Sequence, residues 1–102
     1  MANFIVSFRI EEDSSYQERY ASLKDKVKQI ATGYVWEETT SVYILQANGT
    51  ATSVASELYY GTKLSGLGDM LLVVDPLRSQ YAGYSLKYPA LLSAAIGMEQ
   101  TA

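Results

Sequence analysis

Four carboxylates stand where two strand-like segments end or begin. Asn3 to Arg9 alternates in polarity and runs into Glu11, Glu12 and Asp13; Met70 to Val74 is a continuous apolar run preceded by Asp69. Acids gathered at strand ends can hold a hard divalent ion, Mg²⁺ or Mn²⁺, and activate water against a phosphodiester. Asp69, Glu11 and Asp13 are therefore the candidate catalytic carboxylates. The competing reading is a solvated loop, the commoner fate of acidic clusters. Arg9 lies among them. It is a candidate anion-binding residue, or else an ion-pair partner for Glu11, Asp13, Asp69 or a partner chain. Beside a divalent ion it would be costly. At about 5 Å and an effective dielectric of about 20, the repulsion is about 6–7 kcal/mol.

Composition removes other chemistries. The 102 residues contain neither histidine nor cysteine. That excludes a disulfide framework, a thiolate nucleophile, a Cys/His zinc site and hydrolysis with a histidine base. Acid–base work would fall to carboxylates, lysine or tyrosine. The net charge of −3 does not favour a nucleic-acid partner, since non-specific binding calls for a basic surplus, but it leaves one possible through a local basic face. No signal-peptide pattern opens the chain, and Met70 to Val74 is too short to span a bilayer, so a cytoplasmic protein without membrane attachment is expected.

The elements that must position these residues follow from periodicity. In Asn3 to Arg9, Phe4, Val6 and Phe8 point one way, and Ile5, Ser7 and Arg9 the other. Ser14 with Gln17 and Ser15 with Glu18 have capping-box spacing. Tyr16, Tyr20, Leu23, Val27 and Ile30 then form one helical face, with Gly33 a plausible stop. Arg19, Lys24, Lys26 and Lys28 give that helix a basic side, read as a solvated face. Tyr34 to Trp36 and Ser41 to Leu45 suggest a hairpin. Thr50 can cap a second helix that buries Ala51, Val54 and Leu58 and ends at Gly61. The glycine segment 65–69 precedes a strand rather than a helix, and reads as a turn. Glu37, Glu38 and Asp75 are expected at the sheet end opposite Asp69.

The order β-α-β-β-α-β is the ferredoxin-like plan, an α+β fold with an antiparallel sheet and two helices on one face. One domain is expected, with a core over 3–75 and a C-terminal extension over 76–102. The extension is too apolar for a disordered tail, and Pro89 suits the first turn of a short helix carrying Leu91, Leu92, Ala95 and Ile96. The strands offer apolar side chains to both faces, yet two helices cover only one. A second copy of the chain is the simplest cover, which implies a homodimer. Ile5, Tyr43, Tyr81 and Tyr84 are its candidate interface residues, since tyrosine favours protein interfaces.

Five stretches carry a resemblance: VSFRI, the Tyr16 helix, GYVWEETTSVYIL, TATSVASEL and GDMLLVVDP, followed by QYAGY. In this order they resemble the small SinR-like proteins related to the ferredoxin-fold nuclease subunit of CRISPR adaptation. The resemblance covers most of the chain. It implies a symmetric dimer and, in nuclease relatives, a metal held by an Asp ending the first strand in a (Ser/Thr)-Tyr-Asp context. Here that stretch is Ser7-Phe8-Arg9. The expected function is thus a non-catalytic interaction or assembly protein that needs no cofactor. The alternatives are a Mg²⁺- or Mn²⁺-dependent phosphodiesterase and a small-molecule-sensing module.

Overall fold

The computed structural model describes residues 2–66 and 68–101, so Leu67 of the glycine segment and the last residue of the extension lie outside the description. The first strand, β1 (Ala2–Arg9), leads into helix α1 (Tyr16–Ile30). Strands β2 (Ala31–Trp36) and β3 (Val42–Ala47) form the hairpin. Helix α2 (Ala51–Tyr60), strand β4 (Met70–Asp75), strand β5 (Gln80–Tyr84), helix α3 (Pro89–Ile96) and the two-residue strand β6 (Glu99–Gln100) complete the chain. The protein is an α+β fold with three helices and one mixed sheet of order β2-β3-β1-β4-β5-β6.

That sheet corrects the expectation of a purely antiparallel one. The extension does not merely pack on the sheet; it lengthens it. Asp75 is fully buried, and its carboxylate accepts from the Arg78 amide at 3.2 Å. This closes a tight turn after β4, with Ser79 in the left-handed region at φ 54°. The turn returns β5 along the edge of β4, pairing Val74 with Tyr81 and Leu71 with Tyr84. β6 then pairs with β5 in parallel.

Alternation along β1 sorts the core. Phe4, Val6 and Phe8 are buried under α1 and α2 with Leu23, Val27, Val54, Leu58, Leu71 and Val73. Each such side chain is worth about 1.5–3 kcal/mol of burial. Thr50 caps α2 as expected: its hydroxyl accepts from the Ser53 amide at 3.1 Å, and Ser53 Oγ accepts from the Thr50 amide at 2.8 Å. Two expectations for α1 fail. Ser15 is its N-cap, but neither Ser14 nor Ser15 caps through a side chain. The helix also ends at Ile30, before Gly33, because Ala31 already adopts extended backbone and pairs with Ala47 on β3.

Helix α3 lies on the opposite face. Tyr81 is fully buried, pairs with Val74, and donates its hydroxyl to Pro89 O at 3.0 Å. The same hydroxyl shares a hydrogen bond with Ser93 Oγ. Gly97, at φ 71°, closes α3 in the left-handed conformation that glycine adopts most cheaply. The face is therefore half covered. Around Ile44, the side of the sheet formed by β2 and β3 stays open.

Tyr81→Phe removes both hydroxyl bonds while keeping the ring. It is expected to cost about 1–2 kcal/mol in urea unfolding. Amide exchange should speed up across residues 92–97 and stay unchanged in α2.

Candidate functional site

The carboxylates at the end of β1 are organised by an arginine on α1. Asp69 is only 2% exposed and Arg19 only 8%. Asp69 Oδ1 accepts from the Glu11 amide at 2.9 Å. Its Oδ2 accepts from the Ser65 amide at 2.9 Å and lies 3.3 Å from Arg19 Nε. Nε has no aligned hydrogen bond, so this contact is an ion pair. Arg19 then reaches three further groups. One terminal nitrogen donates to Asp13 Oδ2 at 3.1 Å and to Ser15 Oγ at 3.2 Å; the other donates to Glu11 O. A single guanidinium thus joins the chain leaving β1, the start of α1 and the turn entering β4.

This arrangement does not fit a catalytic metal. Both oxygens of Asp69 are spent on amides and on Arg19. Glu11 enters the network through its backbone, and Asp13 is held by Ser15 and Arg19. Among the described residues, no three acids come together as a metal-binding group.

Arg9 makes none of the ion pairs with Glu11, Asp13 or Asp69 expected of it. It ends β1 opposite Met70, on the α3 face. It is exposed and makes no ion pair among the described residues. Arg19 takes the partners proposed for Arg9. A signal for this was present in the sequence: Tyr16, Arg19, Leu23 and Val27 follow a spacing of three, four and four, which puts Arg19 on the apolar stripe. A cation on such a stripe needs a buried acid.

The other candidates are also relocated. The pairing of Ser7 with Val42 puts the β2–β3 turn beside the end of β1. Glu37 and Glu38 therefore share the Asp69 end of the sheet, and Asp75 alone is at the far end. Glu37 lies 3.3 Å from Lys28 and 3.9 Å from Lys24, and Trp36 Nε1 donates to Glu38 at 2.7 Å. The basic side expected on α1 is thus partly spent within the chain.

Three of the four interface candidates belong to the chain's own packing. Tyr43 is buried under α1, stacked on Phe8 at 5.4 Å between ring centroids. Burial pushes the pKa of its phenol up. Tyr81 holds α3. Tyr84 stacks on Tyr59 of α2 at 4.2 Å. Ile5 stays half-buried on the α3 face, opposite Ile44. The open part of that face instead presents Tyr34, 90% exposed, with Trp36 and Ile44. Nothing in the residue pattern distinguishes Tyr34 and Trp36 from the chain's other aromatics.

Comparison with protein-family models, curated protein sequences and solved structures returns no match. Among the described residues, no helix is long and apolar enough to cross a membrane.

Replacing Arg19 by Met strands the buried Asp69 charge. The expected loss is about 3–5 kcal/mol in urea unfolding. Adding Asp69→Leu should restore part of it, giving a clear coupling energy in the double-mutant cycle.

Asp13 titrates with a defined sign. The Ser15 amide and hydroxyl, and then Arg19, hold its carboxyl below the ordinary value of 3.8. Its contribution to stability is complete above that value and is lost as pH falls through the lowered folded pKa. Carboxyl-detected NMR should find Asp13 titrating below 3.8. Ser15→Ala should raise the pKa only partway, because the amide bond remains.

Proposed function

We propose that this chain is a small, non-catalytic homodimeric interaction or assembly protein. It would act in the cytoplasm of a bacterial or mobile-element system, on a ferredoxin-like fold related to SinR-like proteins and the CRISPR-adaptation nuclease subunit. The order β2-β3-β1-β4, with α1 and α2 on one face, supports the ferredoxin-like reading of the first six elements. The observation that carries the non-catalytic reading is the commitment of Asp69. Its oxygens bind Arg19 and two amides, while Arg9 stands where the resembled nucleases place their Asp. No observation favours the phosphodiesterase alternative.

The dimer reading rests on the uncovered half of the α3 face. Ile44, Trp36 and Tyr34 line a shallow recess of about 210 Å³ there, with Asn3 and Gln46 at its polar edge. Aromatic and aliphatic side chains ringed by amides suit a self-complementary contact. β2 lies at the edge of the sheet, beside this patch.

Sedimentation velocity should give twice the 11.2 kDa chain mass at micromolar concentration. Ile44→Glu should give a folded monomer, whereas Leu77→Glu, in the turn after β4, should leave the dimer intact. A wild type that stays monomeric at all concentrations, or a dimer indifferent to Ile44→Glu, would overturn the dimer. Labelled RNA and duplex DNA should remain uncut with Mg²⁺ or Mn²⁺. Metal-dependent cleavage that disappears in Glu11→Gln would overturn the non-catalytic reading.

A further inference from the structure

Two unpaired cations converge on one recess at the end of β1. Arg9 and Lys87 line a polar pocket of about 270 Å³, together with Ser85 and the glycines at 66 and 68. Neither makes an ion pair among the described residues, whereas Arg19, Lys24, Lys28, Lys63 and Arg78 each have a carboxylate partner. Lys26 is also unpaired, but it is on α1 and does not line this pocket. Arg9 and Lys87 are both exposed, and two cations lining one pocket raise its local positive potential, which favours an anion there.

The wall of the pocket contains one carboxylate, Asp69, and Arg19 already compensates it at 3.3 Å. The Glu11 carboxylate packs against Gly68 but is not part of the lining. Two hydrogen bonds tie described residues of the rim. The Asp69 amide donates to Ser65 O at 3.0 Å, and Ser85 Oγ donates to Gly66 O at 3.2 Å. Ser85 itself adopts φ 59°, which turns the chain out of β5 and carries Lys87 toward Arg9.

The same two cations also border a second recess of about 220 Å³, whose lining includes Met70, Leu72, Leu86 and Leu92. Arg9 and Lys87 therefore stand at a junction, polar on one side and apolar on the other. Two cations are best matched by a group carrying close to two negative charges. A phosphate monoester does so near pH 7, at about −1.5 to −2. Arginine's planar fork suits phosphate oxygens, and lysine adds a point charge. The apolar recess, roofed by α3, takes the rest of such a molecule.

We propose that this junction binds a small phosphate monoester bearing an apolar or aromatic body. The phosphate lies between Arg9 and Lys87, and the body rests on Met70, Leu72, Leu86 and Leu92. The site shares no lining residue with the open Ile44 patch, so it stands whether or not the chain dimerises there.

The test is an NMR titration of the isotope-labelled full chain with three probes: inorganic phosphate, phenyl phosphate and phenol. Phenyl phosphate should shift the Arg9, Ser85 and Lys87 amides together with those of Leu72 and Leu92. It should bind about tenfold tighter than inorganic phosphate, which corresponds to about 1.4 kcal/mol. Phenol should give no saturable shift. Arg9→Gln and Lys87→Gln should each weaken phenyl phosphate about tenfold, and Lys26→Gln should leave it unchanged. Both replaced side chains are exposed, so the urea midpoint should not move. Leu92→Ser should narrow the gap between the two phosphates. Absence of saturable shifts, binding indifferent to Arg9→Gln and Lys87→Gln, or shifts centred on Ile44 or Lys26 would each overturn the proposal.

Discussion

The buried pair of Arg19 and Asp69 is the constraint on which this end of the molecule depends. Removing two charges from water is expensive, and their attraction alone does not reliably repay it. What makes the pair tolerable is that the ions' other bonds are also made. Asp69 takes two amides, and Arg19 takes Glu11 O, Asp13 and Ser15. Those bonds join three pieces of chain that are distant in sequence. They fix where β1 exits, where α1 begins and how the glycine turn enters β4. The pair therefore sets geometry more than it adds stability. It also spends a carboxylate that would otherwise neutralise the basic side chains near it.

A second constraint acts on the sheet's other face. Tyr81 is a large aromatic with a polar tip, and its hydroxyl needs a partner if the ring is to be buried. α3 supplies two. A helix composed of Pro89-Ala-Leu-Leu-Ser-Ala-Ala-Ile is thereby held against β5, although none of its residues is fully buried. One tyrosine thus decides which half of the face is covered. The covered half becomes a pocket with a roof, and the half around Ile44 remains a surface.

The sequence was most legible where local chemistry and packing agreed. The Tyr16–Leu23–Val27 stripe, the Thr50 cap, the Met70–Val74 strand and the Pro89 helix start all follow from spacing and capping. It was least legible where a partner is far away in the chain. Nothing near Arg19 names Asp69, fifty residues on, and a helical wheel shows only that Arg19 sits among apolar positions. β5 was obscured for a related reason. Its turn contains no glycine, and depends on Asp75 folding inward to accept from Arg78, a bond invisible in composition. The placement of Glu37 and Glu38 failed on topology, since an antiparallel hairpin returns its turn to the end of β1. At the tyrosines residue type was a poor guide, because the same aromatic serves the core at Tyr43, a helix anchor at Tyr81 and open surface at Tyr34.

The two surfaces that remain are physically separable. Along β1, Asn3 borders the open patch and Arg9 borders the charged junction. Six residues of extended strand separate them, about 20 Å at about 3.3 Å per residue. Ile44 itself pairs with Ile5, four residues from Arg9, or about 13 Å along the strand at about 3.3 Å per residue; that exceeds one Debye length at physiological salt, so charges at Arg9 and Lys87 are strongly screened at a partner seated there. The covered and open halves also draw on different elements, β4, β5 and α3 in one case and β2 with β3 in the other. An acidic chain can in this way keep a locally basic site: its net charge of −3 is spread over the surface, while the one carboxylate within the pocket wall is held by Arg19. The ion pair that removes Asp69 from metal chemistry is thus the same one that leaves Arg9 and Lys87 free to attract an anion.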